Sequence, residues 1–132
     1  MSGEIDLKIL LNSMSPILTM EPFGFATAND LQVLKVKQPF AVINEEEGVT
    51  LVASIKALEE VGLVNIEKWA RITLQIHSSL QAVGLTAAFA SALGKVGISA
   101  NVIAGFYHDH ILVQWEKRHD AMSALQELSN QK

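Results

Sequence analysis

The chain has 132 residues and contains no cysteine. This excludes a disulfide scaffold, a zinc ribbon and a cysteine nucleophile, and it fits a reducing compartment. An excess of positive charge is also lacking, since 10 lysines and arginines stand against 14 aspartates and glutamates. Nucleic-acid binding is therefore not expected, because neutralising phosphates requires clustered cations.

Long hydrophobic runs are missing as well. The most apolar stretch, from Val83 to Phe106, is interrupted by Lys95, Asn101 and four glycines, so no membrane span is expected. The first eleven residues include three charged side chains and lack the apolar core of a secretory signal. We therefore expect a cytoplasmic protein with no membrane partner.

Charge is scarce overall. Apolar residues make up 49% of the chain and charged residues only 18%, which is the composition of a globular protein. A surface with so few charges indicates that part of it is covered by a second copy. We therefore expect a homo-oligomer, a dimer or larger.

The first half reads as short elements separated by turn residues. A helix is predicted from Glu4 to Met14 by apolar residues at helical spacing. A second helix begins after Ser54 and ends near Val61, before Gly62. Strands are predicted at Ile17–Met20, Phe23–Ala28, Leu31–Val36 (as an edge strand), Phe40–Asn44 and Val49–Ala53.

The second half has clearer periodicity. Strict alternation predicts a half-buried strand from Ala70 to Ile76, followed by a loop from Ser78 to Gly84. The i, i+3, i+4 pattern predicts a helix from Leu85 to Val96, closed by Gly97. Two strands, Ile98–Phe106 and Ile111–Trp115, flank a tight connection at Tyr107–His110, and a last helix opens at Arg118.

This order is βαββα, a ferredoxin-like pattern without its final strand. The stretch from Glu47 to Val52 can be laid on the stretch from His108 to Val113, and each precedes an amphipathic helix. The chain is therefore predicted to consist of two α+β halves, residues 1–68 and 69–132.

Two groups in the second half suit a zwitterion. Gly84 leads a helix whose first backbone amides, those of Gly84, Leu85 and Thr86, would accept an anion, although a plain helix cap with Thr86 in the first turn is the alternative. Asp109 could pair with an ammonium or guanidinium group, although an aspartate at a hairpin tip also simply favours the turn. A carboxylate at the helix start and a cation at Asp109 describe a free amino acid.

The histidines offer an alternative. His108 and His110, at i and i+2, would share one face of a strand, and His77 or His119 could complete a metal site. Two ordinary imidazoles at a polar turn are the preferred interpretation, because the spacing specifies only two ligands. No nucleophile–base pair is specified either, so we expect neither enzymatic activity nor a metal or cofactor.

The motifs of the chain resemble the ACT-domain superfamily, in particular small bacterial tandem-ACT proteins. In the second half the chain is also similar to the regulatory modules of aspartate kinases and to metazoan cytosolic arginine sensors. The residues that carry the resemblance are Gly48–Val52, Ala70–Leu74, Gly84–Ala88, Gly97–Val102 and Tyr107–Val113; the arginine sensors' Phe-x-x-Asp-His-x-Leu-Val pattern is matched by Phe106–Val113.

The resemblance implies two ferredoxin-like βαββαβ modules, at residues 1–68 and 69–132, with antiparallel sheets and helices on one face. The first would be divergent, with a degenerate helix between Ala28 and Phe40. The resemblance further implies a regulatory amino-acid-binding protein without catalysis of its own. Its ligand-binding residues would be Gly84, Leu85, Thr86, Asn101, His108, Asp109 and His110.

The chain departs from its larger relatives in having two modules rather than four and no attached catalytic domain. A regulator with nothing attached must act on a separate partner or merely bind its ligand. The alternative is a protein-interaction or oligomerisation module whose ligand site is vestigial. The side-chain specificity of a ligand does not transfer with the motif.

Overall fold

The fold is given by a computed structural model, which describes residues 3–75 and 84–130. Contacts divide the chain into two compact units. The inserted unit comprises Met20–Trp69, and the split unit combines Met1–Thr19 with Ala70–Lys132. The elements, in chain order, are α1 Gly3–Ser13, β1 Ser15–Leu18, β2 Phe23–Ala28, α2 Asp30–Lys35, β3 Ala41–Glu45, β4 Gly48–Ser54, α3 Ile55–Glu60, β5 Trp69–Gln75, α4 Leu85–Lys95, β6 Asn101–Ala104, β7 Asp109–Gln114 and α5 Arg118–Ser129.

In the inserted unit, β4 lies between β3 and β2 and is antiparallel to both. One face of this sheet contributes Leu51 and Ala53 to a core that also holds Ala57 and Leu58 of α3. The predicted cap of α3 is confirmed, because Ser54 Oγ accepts a hydrogen bond from the backbone N–H of Ala57 at 3.1 Å.

The edge strand predicted at Leu31–Val36 is wrong, because this segment forms helix α2. Asn29 Oδ1 accepts a hydrogen bond from the N–H of Gln32 at 2.9 Å. In return, Gln32 Oε1 accepts one from the N–H of Asn29 at 3.0 Å. This reciprocal capping box satisfies two helix-start donors and outweighs the apolar alternation that suggested a strand.

In the split unit, the strands lie in the order β6-β7-β5-β1. The fourth strand, which the βαββα pattern of the second half lacks, is supplied by β1, antiparallel to β5 with Ser15 opposite Gln75. The division of the sequence into one module at residues 1–68 and another at residues 69–132 remains a prediction. In space, the first nineteen residues belong with the C-terminal part of the chain.

The helices of the split unit cover one face of its sheet. Leu85, Phe89 and Leu93 of α4 are buried against strand residues of that face, such as Ile72 and Ile111. The predicted helices α1, α4 and α5 are confirmed, and Gly97 closes α4 with a φ of 75°. The predicted α+β class, with antiparallel sheets and helices packed on one face, is confirmed.

A substitution at Met14 tests whether the N-terminal segment belongs to the split-unit core. Met14 is 4% exposed and lies in that core, whereas Met20 is 84% exposed. Met14→Ala should lower the free energy of unfolding by about 2–5 kcal/mol, because truncating a buried methionine leaves a cavity. Met20→Ala, the matched control, should change it by less than about 0.5 kcal/mol. Equal urea midpoints for the two variants would contradict the placement of Met14.

Candidate functional site

The sheet of the split unit has two chemically different faces. Along β5, Ile72 and Leu74 face the helices and are fully buried in the core. Arg71 and Thr73, which alternate with them, point to the other side because successive strand residues point in opposite directions. We call the two sides the helix face and the opposite face.

The start of α4 follows a glycine, as the sequence predicts. Gly84 is the N-cap residue with φ 85° and ψ −10°, a conformation that favours glycine. Its carbonyl oxygen accepts the first helical hydrogen bond, from the N–H of Ala88 at 3.0 Å. Leu85 is buried and Thr86 exposed. The earliest amide groups of a helix have no acceptor within it, and the helix dipole favours negative charge there.

Asp109 lies on the helix face, since it alternates along β7 with Ile111 and Val113, both members of the helix-covered core. It also lies at the end of the sheet where α4 begins. Lys117 follows β7, and its Nζ donates to the carbonyl oxygen of Gly97 at 3.0 Å, so the last turn of α4 is at the C-terminal end of β7. The first turn of α4 is therefore at the opposite end, where Asp109 opens the strand.

The carboxyl group of Asp109 is partly withdrawn from water. Burial raises its pKa above the ordinary value, because a charged carboxylate loses hydration there. A cation placed next to it would offset that loss. The structure thus brings the start of α4 and the carboxyl group of Asp109 to one end and one face of the split-unit sheet.

Asn101 does not join this arrangement. Asn101 is the first residue of β6 and lies directly opposite Leu112. The pair formed by Ala104 and Asp109 is three residues further along the hairpin, a distance of about 10 Å along the strands. The Nδ2 of Asn101 donates to the carbonyl oxygen of Leu112 at 3.2 Å. The side chain therefore holds the strand pair together, on the opposite face of the sheet.

His110 also lies on the opposite face. Its Nδ1 is 3.0 Å from Thr73 Oγ1, a cross-strand hydrogen bond. Burial lowers the pKa of its imidazole, and the nearby charges of Arg71 and His108 lower it further. The protonated ring is thus disfavoured both by lost hydration and by positive neighbours.

His108 precedes β7, in the turn after β6. Its Nδ1 is buried and has no hydrogen-bond partner among the described residues. Its carbonyl oxygen accepts from the N–H of Gly105 at 2.9 Å, and a Cβ at Gly105 would lie only 2.8 Å from that oxygen. The connection is displaced by two residues from the predicted Tyr107–His110, because β6 ends at Ala104 and because Asp109 and His110 belong to β7.

Sequence reasoning missed Thr19, Arg71 and Thr73 as candidates. The Nε of Arg71 donates to Thr19 Oγ1 at 3.1 Å, and the N–H of Thr19 donates to the carbonyl oxygen of Arg71 at 2.9 Å. The alternation along β5 already predicts that Arg71 and Thr73 share a face. It could not indicate which other strands place polar groups on it.

The predicted alternative of a metal site gains no third ligand. Within residues 3–75 and 84–130, no three histidine, aspartate or glutamate side chains gather to hold a metal ion. His119 is exposed on α5, and His77 lies outside the described residues, as does the predicted loop before Gly84.

Of the helices that the structure describes, none combines the length and the apolarity needed to cross a membrane.

Comparison with solved structures finds a close relative. A protein of unknown function from Vibrio cholerae, described as a possible transport protein, is 46% identical; the match covers 98% of this chain and 100% of that one, with a TM-score of 0.83. The ligand-free regulatory subunit of aspartate kinase from Thermus thermophilus is 13% identical (86% of this chain, 95% of that one, TM-score 0.60). Aspartate kinase from Clostridium acetobutylicum is also 13% identical (89% and 34%, TM-score 0.63).

A search among curated proteins found no match. Two family models, both described as ACT domain, match residues 2–71 and residues 67–127. Neither describes a catalytic domain. Together the two models account for nearly the whole chain, and the fold agrees with their ferredoxin-like pattern. The chain therefore belongs to the ACT-domain family.

Proposed function

We propose that this protein is a regulatory protein that binds a free amino acid on the helix face of the split unit. The observation that carries the proposal is the shared position of Asp109 and the start of α4, at one end of one face. The amides of Gly84, Leu85 and Thr86 hold the carboxylate of the ligand, and Asp109 holds its ammonium group. The aspartate kinase regulatory subunit with a similar fold supports a regulatory role.

The electrostatics of the free protein favour such a ligand. A helix start presents partial positive charge and unpaired N–H donors, which suit a carboxylate. The pKa of Asp109 is raised because its negative charge is poorly hydrated, so an ammonium group beside it gains a charge-assisted hydrogen bond. A ligand with only one of the two charges would leave half of the site without a charged partner, and a neutral ligand would leave both halves without one.

A regulatory role needs a second component that responds to the ligand. We propose that the chain acts on a separate partner, in the cytoplasm, as a homo-oligomer. Ligand binding shifts such an equilibrium only to the extent that one assembled state binds the ligand more tightly than the other.

A second candidate function is an association module with a vestigial ligand site. The specific observation in its favour is the aromatic pair Phe106 and Tyr107, which are 81% and 80% exposed and pack edge to face at 5.1 Å. Aromatic side chains are enriched where proteins associate. Native mass spectrometry separates the two functions: a regulator should change its distribution of assemblies when its amino acid is added, whereas an association module should not.

Calorimetric titration with each of the common amino acids tests the binding site. At least one should bind saturably, and Asp109→Asn should weaken that binding at least tenfold, since the charge that holds the ammonium group is removed. The matched control is Asp120→Asn, an exposed aspartate in the first turn of α5, which should bind as the unaltered protein does. Absence of heat with every amino acid at millimolar concentration would refute the proposal.

The same substitution should have an opposite effect on stability. Because the folded-state pKa of Asp109 lies above the unfolded value of about 3.9, the folded protein holds this proton more tightly. The stability that Asp109 contributes in its protonated form is therefore lost as the pH rises from the unfolded-state pKa through the higher folded-state pKa. Asp109→Asn should unfold at higher urea concentration than the unaltered protein at pH 7, with the difference shrinking towards pH 3.5. A less stable variant at pH 7 would instead assign Asp109 a structural role.

A further inference from the structure

The opposite face of the split-unit sheet carries a second polar group that the proposed amino-acid site does not use. Its side chains come from β5, β7, the end of β1 and the turn before β7, and all are partly exposed. We call this group the opposite-face cluster; its members are Thr19, Arg71, Thr73, His108 and His110.

Hydrogen bonds hold four members of the cluster in two pairs. The Nε of Arg71 is anchored on Thr19 Oγ1 at 3.1 Å, which orients the planar guanidinium on this face. Thr73 lies two residues further along β5, so its hydroxyl is on the same side and reaches His110 Nδ1 at 3.0 Å. Both pairs are joined through β5, whereas His108 comes from the turn before β7.

The turn before β7 contributes an imidazole nitrogen to the cluster. The Nδ1 of His108 is buried without a hydrogen-bond partner among the described residues. A buried polar atom of this kind is uncommon in native proteins, and it often marks a place where an ion, a water molecule or a ligand binds. The glycine at position 105 keeps the turn compact, since a Cβ there would also come within 3.4 Å of His110 Nε2.

The charges of the cluster have one sign. Arg71 acts on His110 from β5 and His108 acts on it from the turn, and both effects oppose protonation of the ring. From β6, the residue directly opposite His110 is the uncharged Ile103. One guanidinium and two imidazoles held together in this way repel one another whenever the imidazoles are protonated. A bound anion would turn this repulsion into attraction.

We propose that the opposite-face cluster binds a small oxyanion, namely the carboxylate or phosphate group of a metabolite. Arginine suits both groups because its planar fork matches two oxygens at once. The threonine hydroxyls and the imidazole N–H groups supply further donors. The site lies across the sheet from Asp109, so occupancy of one site does not require occupancy of the other.

Anion binding at this cluster must be linked to protonation of His110. In the free protein the pKa of His110 is lowered by burial, by Arg71 and by His108. An anion between these groups raises that pKa, so binding takes up a proton wherever the pH lies between the free and bound values. Affinity for the anion therefore increases as the pH falls through this window.

The test is an NMR titration of the full chain against pH, in which the chemical shifts of the His110 ring protons are followed. The signals of that ring are identified by their absence from the spectrum of His110→Gln. Sulfate and acetate serve as probes, because sulfate keeps its charge throughout the titration and acetate can be added so that its ionised form has the same concentration at every pH. Sodium chloride at equal ionic strength is the reference. We expect the pKa of His110 to rise by about one unit with a bound probe, a tenfold gain in proton affinity. A response to sulfate alone identifies a phosphate-type site, and a response to acetate alone a carboxylate site; either supports the proposal.

Variants identify the residues responsible. Arg71→Gln should abolish the response of His110 to the probe. Arg118→Gln is the matched control and should preserve the response, because Arg118 lies outside the cluster. It stacks on the Trp115 ring, with its guanidinium carbon 3.9 Å from the ring centroid. The proposal is overturned if neither probe moves the pKa of His110 beyond the chloride reference, a result that requires no variant. It is equally overturned if Arg71→Gln retains the full response.

Discussion

The alternation of side chains along β5 and β7 is the constraint on which the rest of this structure depends. A strand places neighbouring residues on opposite sides, and a packed sheet separates those sides completely. Asp109 and His110 are adjacent in sequence, yet one belongs to the helix face and the other to the face that carries Arg71. One short strand thereby gives the chain two chemically distinct surfaces. The helix face carries an acidic group at the end where α4 begins, and the opposite face carries a basic cluster.

Burial acts on both surfaces through the same physical effect, with opposite results. Lost hydration raises the pKa of Asp109 and lowers that of His110, so each side chain is biased towards its neutral form in the free protein. A ligand group of opposite charge would restore the ionised form in each case. Partial burial of a titratable group therefore connects the fold to the proposed ligand chemistry, because it makes ionisation sensitive to what is bound.

Local patterns made much of the fold predictable. The spacing of Leu85, Phe89 and Leu93 predicted α4, and the alternation from Ala70 predicted β5, because both depend on residues close in sequence. Helix α2 was missed because the capping box at Asn29 competes with an equally local apolar alternation. The separation of Asn101 from Asp109 was out of reach, because it depends on the register of β6 against β7, which a single residue of slip reverses. The candidate residues could be named from the sequence, whereas the separation of Asn101 and His110 from Asp109 onto the other face of the sheet could not.

The pairing of β1 with β5 has a consequence for how the chain is made. Ser15 meets Gln75, and α1 packs with α5, so the split unit joins segments from both ends of the described chain. During synthesis the inserted unit, Met20–Trp69, is complete long before α5 has been made. Until then Met14 and the apolar side of α1 have no core to enter, and contacts of such long sequence separation form slowly. The apolar residues of the N-terminal segment therefore wait for their partners until the last helix of the split unit has been made.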